Sequence, residues 1–128
     1  MRLLVDTHVI IWWVLTPDDL SKTVDQLLLG TATEVLVSPV SAFEISRKHG
    51  LGKLLFDSAF IANFDARIEA LSWFELPLTN AHAVAAGRLV GSHKDPFDRL
   101  LAAQAIAEGL TIATIDPALA ALGAKVIW

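Results

Sequence analysis

The apolar positions of the chain change period repeatedly, and the changes divide it into alternating strands and helices. Arg2-Leu3-Leu4-Val5 is a short, mostly apolar run broken at Asp6, the length of a buried strand, and Val9–Leu15 follows with helical length and stops near Thr16-Pro17. From Ser21 to Leu29 the apolar positions Val24, Leu27 and Leu28 recur at helical spacing, with Ser21 as an N-cap and Gly30 as the stop. Glu34–Val37 reads as a second strand. Ser38-Pro39 then pairs a cap with a first-turn proline and opens a helix to about His49, where Gly50 and Gly52 break it. A long helical pattern over Ala59–Leu71 precedes a third strand, Trp73–Leu76, and Thr79 opens a helix through about Leu89. Gly91–Lys94 is a loop. Asp95-Pro96 caps a helix over Phe97–Glu108 that Gly109 ends, and Leu110–Ile115 has the unbroken apolar character of a buried parallel strand. Asp116-Pro117 starts a short helix before a last strand, Lys125–Trp128.

Strands joined by helical crossovers along the whole length predict an α/β fold with a central, mostly parallel sheet flanked by helices. With no internal repeat, linker or low-complexity stretch, the 128 residues are expected to form one domain, 1–128. Open sheets of this class bind ligands beyond the carboxyl ends of their strands, where the strand order reverses, so chemistry is expected there.

Composition narrows the function. Hydrophobic residues make up 54% against 19% charged, which excludes disorder and leaves apolar surface for a partner. No apolar stretch approaches the roughly 20 residues that cross a bilayer, and Met1-Arg2 leads straight into the first strand without a signal-peptide pattern. The absence of cysteine excludes disulfides, thiolate zinc sites and thiol catalysis, and it fits a reducing compartment, so a cytoplasmic location is expected. A net charge of −4 means that the molecule as a whole does not attract nucleic acid. Any such activity must rest on a local basic patch, or on a divalent cation that makes an acidic pocket bind phosphate.

Acids fall where the fold predicts chemistry. Asp6 and Asp116 each follow an apolar strand run and enter the carboxyl-end crevice, although each could also be a helix N-cap. Glu44 shares a helical stripe with Val40 and Phe43 that is expected to face the sheet, a costly place for a carboxylate unless it is paired. Arg47 or Lys48, one turn on, offers a purely structural partner. Asp95 reads as the N-cap of the helix that begins at Pro96, and Asp98 falls at its third position, where an acid suits the helix dipole. Carboxylates clustered from four elements repel one another, and a divalent cation resolves the conflict. An all-oxygen set favours Mg²⁺ or Mn²⁺, whose natural reaction with such a set is phosphodiester hydrolysis without any need for histidine.

Around these acids, Thr7 and Thr114 could orient a carboxylate or water, or serve as backbone caps. His93 could contact substrate or be a plain loop histidine. Arg47, Lys48, Lys53, Lys94 and Arg99 are candidate phosphate contacts, or simply solvated charges. Trp12 and Trp13 are expected to fill the core and a dimer or partner surface, with base stacking as the alternative use.

The motifs Leu4-Val5-Asp6-Thr7-His8, Ser41-Ala42-Phe43-Glu44-Ile45-Ser46, His93-Lys94-Asp95-Pro96-Phe97-Asp98-Arg99-Leu100-Leu101-Ala102-Ala103-Gln104 and Thr114-Ile115-Asp116, in that order, resemble those of PIN domains. Among these they are most similar to the VapC-like toxins of bacterial toxin–antitoxin pairs. The resemblance runs end to end and implies a three-layer PIN-like fold and Mg²⁺- or Mn²⁺-dependent endonucleolytic cleavage of RNA by a metal-activated water. It further implies a homodimer and inhibition by a cognate antitoxin, a segment of which lies across the active site. Matching positions carry over Asp6, Glu44, Asp98 and Asp116 as the acidic quartet and metal ligands, with Asp95 as an additional member. Two rivals stand beside this reading. A haloacid-dehalogenase-like phosphatase would want a second aspartate where this chain has His8, and an inactive PIN-like binding module would have no reason to keep Glu44 on an apolar stripe.

Overall fold

The computed structural model describes residues 1–128. Leu3, Leu4 and Val5 are fully buried in β1 (Arg2–Val5), as befits a central parallel strand covered on both faces. β2 (Glu34–Val37) and β4 (Thr111–Ala113) flank it in parallel register, with Leu3 opposite Val35 on one side and Thr111 on the other. β3 (Phe74–Glu75) and β5 (Lys125–Ile127) complete the order β3-β2-β1-β4-β5. The sheet is parallel throughout.

Alternation along the strands splits the core in two. Leu3, Val5, Val35 and Val37 pack with α1 (Thr7–Leu15), α2 (Lys22–Leu29), α4 (Ser58–Ala62) and α5 (Phe64–Ala70) through Ile10, Val24, Phe60 and Ile68. On the other face, Leu4, Leu36 and Ile112 meet Leu101 and Ala105 of α7 (Pro96–Glu108) and Leu119 of α8 (Pro117–Ala121). α3 (Pro39–Gly50) reaches both sides, with Ile45 in the first cluster and Val40 in the second, and α6 (Asn80–Arg88) packs on α7. No helix is long and apolar enough to cross a membrane.

The helix boundaries follow local chemistry. Ser21 Oγ accepts from the Val24 N–H and Ser38 Oγ from the Val40 N–H, at 3.1 Å each, and Gly109 closes α7 in the left-handed conformation that a side chain resists. Beyond shifts of a single residue, four elements differ from those read in the sequence. The helix expected over Ala59–Leu71 is two, because Asn63 turns its amide back onto the Ala59 carbonyl (2.9 Å) and leaves helical geometry. The strand expected over Trp73–Leu76 pairs only at Phe74 and Glu75, since the Trp73 N–H bonds the preceding helix at Ile68 O. The helix expected from Val9 begins at Thr7, and the strand expected over Leu110–Ile115 ends at Ala113.

From β1 the chain steps outward to β2 and β3 on one side, then returns to lay β4 and β5 on the other. The order reverses between β1 and β4, which opens a crevice beyond their carboxyl ends.

Candidate metal centre

Asp6 stands at that reversal. It occupies the N-cap position of α1, yet its carboxylate makes no capping bond; Oδ2 instead accepts from Thr114 Oγ1 at 2.7 Å. The same hydroxyl accepts the Asp116 N–H at 3.0 Å, so one buried threonine ties the two strand-end acids together. Asp116 does cap its helix, through Oδ1 to the Ala118 N–H. The capping alternative therefore holds for Asp116 and not for the Asp6 side chain.

Glu44 projects from α3 towards the same crevice. Thr7 Oγ1 lies 3.0 Å from Glu44 Oε1 and 2.9 Å from Ser41 Oγ. A hydroxyl carries one proton and the carboxylate can only accept, so Thr7 donates to Glu44 and Ser41 donates to Thr7. Lys48 Nζ is 3.7 Å from Oε2, the pairing one turn on that the sequence allows. The buried stripe of α3 is Val40, Ser41 and Ile45. Phe43, expected to face the sheet, is exposed and lies against the Phe97 ring at 5.3 Å, because the helical period places Glu44 between Val40 and Ser41 and carries Phe43 off the buried face.

Asp98 and Asp95 come from the first turn of α7. Asp95 Oδ1 caps the helix at the Phe97 N–H, and Asp98 Oδ2 is 2.7 Å from His93 Nε2. His93, Asp95 and Asp98 each present one ligand atom within 4.8 Å of the others. Asp6, Glu44 and Asp116 do not join that tight trio but are near enough to act on it. Burial pushes the Asp98 carboxyl above its ordinary value; the His93 bond opposes this, and Asp95, Asp116 and Asp6 add to it. Glu44 is raised in the same way, by burial against the Thr7 bond and Lys48, with Asp6 and Asp95 adding.

The basic residues divide. Arg99 directs Nε to Ala86 O, Nη1 to Gly91 O and His93 O, and Nη2 to Leu89 O. Those bonds engage four of its five N–H donors in holding the α6–α7 loop, in place of the phosphate contact expected from sequence. Lys48 is occupied with Glu44, whereas Arg47, Lys53 and Lys94 stand exposed.

Ser41 and Gln104 are supporting residues that sequence reasoning did not single out. Gln104, fully buried in α7, accepts from Ser38 Oγ at 2.6 Å and donates to Leu76 O at 3.2 Å, which locks the start of α3 to the segment after β3. A glutamine inside Leu-Leu-Ala-Ala-Gln-Ala-Ile was the available signal, since an apolar helix face does not bury an amide without partners.

The donor set fits a hard divalent cation: five carboxylates and one imidazole, drawn from four segments, with Glu44 and Asp98 raised first by burial and further by neighbouring acids. Asp6 has an oxygen free of any cap, and Thr7, Thr114 and His93 hold three of the acids in place.

The PIN domain model matches residues 3–125. No curated protein matches by sequence. Among solved structures, the chain resembles VapBC2 from Rickettsia felis bound to a DNA fragment from its promoter, with a TM-score of 0.73 and 17% identity over 99% of this chain and 98% of that one. It also resembles FitAcB from Neisseria gonorrhoeae, with a TM-score of 0.68 and 25% identity over 98% of this chain and 96% of that one. A third similar structure is VapBC-5 from Mycobacterium tuberculosis, described as a member of the VapBC family of toxin–antitoxin systems, with a TM-score of 0.61 and 21% identity over 98% of this chain and 95% of that one. With a family model covering all but its first two and last three residues, on a parallel sheet whose reversal point gathers the acids, the chain belongs to the PIN domain family.

Proposed function

We propose that the chain is a Mg²⁺- or Mn²⁺-dependent endoribonuclease, the VapC-like toxin of a toxin–antitoxin pair. The observation that carries this is the set of acids from four segments at the β1–β4 reversal, close enough that Asp6, Asp95 and Asp116 act on Asp98, and Asp6 and Asp95 on Glu44, a charge cluster that a cation would relieve. Asp6, Asp98 and Asp116, with Glu44 and Asp95, would hold the ion, and His93 stands beside Asp98. When bound, such an ion supplies Lewis-acid chemistry: it activates water and offsets charge on the attacking and leaving oxygens of a phosphodiester.

The rest is done by the chain. Thr114 fixes Asp6 relative to Asp116, and Thr7 fixes the rotamer of Glu44. Arg47 and Lys94, exposed close to Glu44 and Asp95 in sequence, are the phosphate contacts this reading favours. The protein partner is a cognate antitoxin, supported by the likeness to VapBC and FitAcB structures, and a cytoplasmic homodimer of single PIN domains completes the proposal.

The test is incubation of the purified protein with mixed cellular RNA, in Mg²⁺ or Mn²⁺ against EDTA. Discrete metal-dependent fragments are expected from the wild type, and none from Asp6→Asn or Asp116→Asn with circular dichroism unchanged. Full activity in both variants would refute the assignment. No cleavage together with no metal binding would favour a binding module.

A further inference from the structure

Three aromatic rings lie on the carboxyl-end side of the sheet, where α1 leaves β1 and the chain leaves β5, and the hydrolytic reading gives them no task. His8 lies two residues beyond Asp6 in the first turn of α1; it is exposed, and no protein hydrogen bond holds its imidazole. Its ring rests on Trp12, one turn along, with centroids 5.5 Å apart and planes at 46°. Trp12 in turn meets Trp128 edge-on at 5.7 Å. Trp128 directly follows β5, and the carbonyl of its neighbour Ile127 accepts the N–H of Thr114, whose hydroxyl binds Asp6. One end of the aromatic row is thus two residues from Asp6, and the other follows the residue whose carbonyl binds the Thr114 backbone.

Core packing explains the inner edges of the two indoles, which lie half-buried against the α1-side cluster. It does not explain an exposed imidazole laid on an indole in the first turns of the helix that follows Asp6. Electrostatics supplies a reason. The chain carries a net charge of −4, Lys48 is paired with Glu44, and Arg99 is tied to its loop, so the backbone of an RNA finds few cations near the site. Stacking on a base needs no charge and accepts any base, provided that its face is free. A base paired within an A-form helix has both faces covered.

We infer that His8, Trp12 and Trp128 form a stacking ledge for one unpaired base of single-stranded RNA, next to the phosphate being cut. His8 offers the outer face, Trp12 backs it, and Trp128 walls the far side. The inference rests on the ribonuclease reading for its substrate and deepens it, since the ledge directs the site to loops and single strands.

The experiment uses the intact protein and short oligoribonucleotides that span a mapped cut, each with one abasic ribose. One abasic position beside the cut is expected to raise KM roughly 5- to 100-fold, with kcat changed by no more than about twofold. His8→Ala should show that raised KM on the intact substrate and lose the abasic penalty, and His8→Phe should restore both. No sensitive position, or a penalty undiminished in His8→Ala, overturns the ledge. In parallel, tryptophan fluorescence of the Asp116→Asn protein is titrated with short oligouridylate and with an abasic strand of the same length. Quenching by oligouridylate alone, weakened in Trp128→Phe, supports the ledge, and equal quenching or none overturns it. If cleavage is absent or survives Asp6→Asn, the ribonuclease reading falls and the fluorescence arm alone decides the ledge.

Discussion

Two threonines and a histidine decide how the acids behave. Thr114, Thr7 and His93 each bond one carboxylate of the crevice, which fixes Asp6, Glu44 and Asp98 before any ligand arrives. Fixing them has a cost that can be measured without a substrate. Glu44 and Asp98 are held above their ordinary values of 4.5 and 3.8, chiefly by burial, so folding disfavours their ionised forms. Below the ordinary values both are protonated whether folded or not, and the folded state suffers no penalty. As pH rises through the ordinary and then the raised values the penalty grows, and it is constant above them. In EDTA, Glu44→Gln with Asp98→Asn should therefore raise Tm over the wild type by about 3–6 °C per kcal/mol relieved at neutral pH, with the gap closing towards pH 3–4. The two amides still accept from Thr7 and His93, so the comparison isolates charge. Adding Mg²⁺ should raise the wild-type Tm and leave the double variant where it was. Scanning calorimetry across pH, with and without the ion, reads both effects, and a gap that does not vary with pH would contradict this account.

At the scale of elements, the loop between α6 and α7 is the least regular part of the site and the most dependent on one side chain. Arg99 bonds carbonyls of Ala86, Leu89, Gly91 and His93, which positions His93 over Asp98. Arg99→Ala should leave the β-sheet amides protected from hydrogen exchange, speed exchange across residues 89–95, and weaken Mg²⁺ binding roughly tenfold, in the range found for residues that orient metal ligands. Unchanged exchange in the loop would return Arg99 to the pool of phosphate contacts. Sequence could not reveal this role, because a basic residue one place after Asp98 looks the same whether it meets phosphate or four carbonyls folded back from the preceding loop. What it could reveal were features set by local periodicity. β1 keeps the strand bounds read from Arg2 to Val5, and Ser21, Ser38 and Asp95 cap the helices they were expected to cap. That Asp6 and Asp116 follow strands and that Asp95 and Asp98 open a helix was legible because strand ends and helix starts are local signals. Phe43 and the break at Asn63 were not, since each depends on how a helix is rolled or interrupted by contacts that come from elsewhere in the chain. His93 was left between two uses because a loop conformation has no periodicity to read.

For the whole molecule, charge and topology pull in opposite directions. The sheet reversal gathers acids at one end, while 14 acidic against 10 basic residues give a field that repels a polyanion. A nuclease that relied on phosphate contacts would need many free cations there, and this chain has few. Lys48 is committed to Glu44 and Arg99 to its loop, which leaves Arg47 and Lys94 as the exposed bases flanking the acids in sequence. Each phosphate neutralised on a single strand contributes about −0.7 to the slope of log affinity against log salt, so two contacts predict a slope near −1.4. Measured as KM against KCl at fixed Mg²⁺, RNA binding should therefore weaken only a few-fold between 50 and 200 mM salt, where a basic nuclease making 6–10 phosphate contacts would lose about a thousandfold or more. Arg47→Ala and Lys94→Ala should each flatten the line by about 0.7. A slope of about −4 or steeper would show that cations outside this pair, on a second copy or on a face not yet considered, carry the substrate, and the acidic balance of the single chain would then be a poor guide to its encounter with RNA.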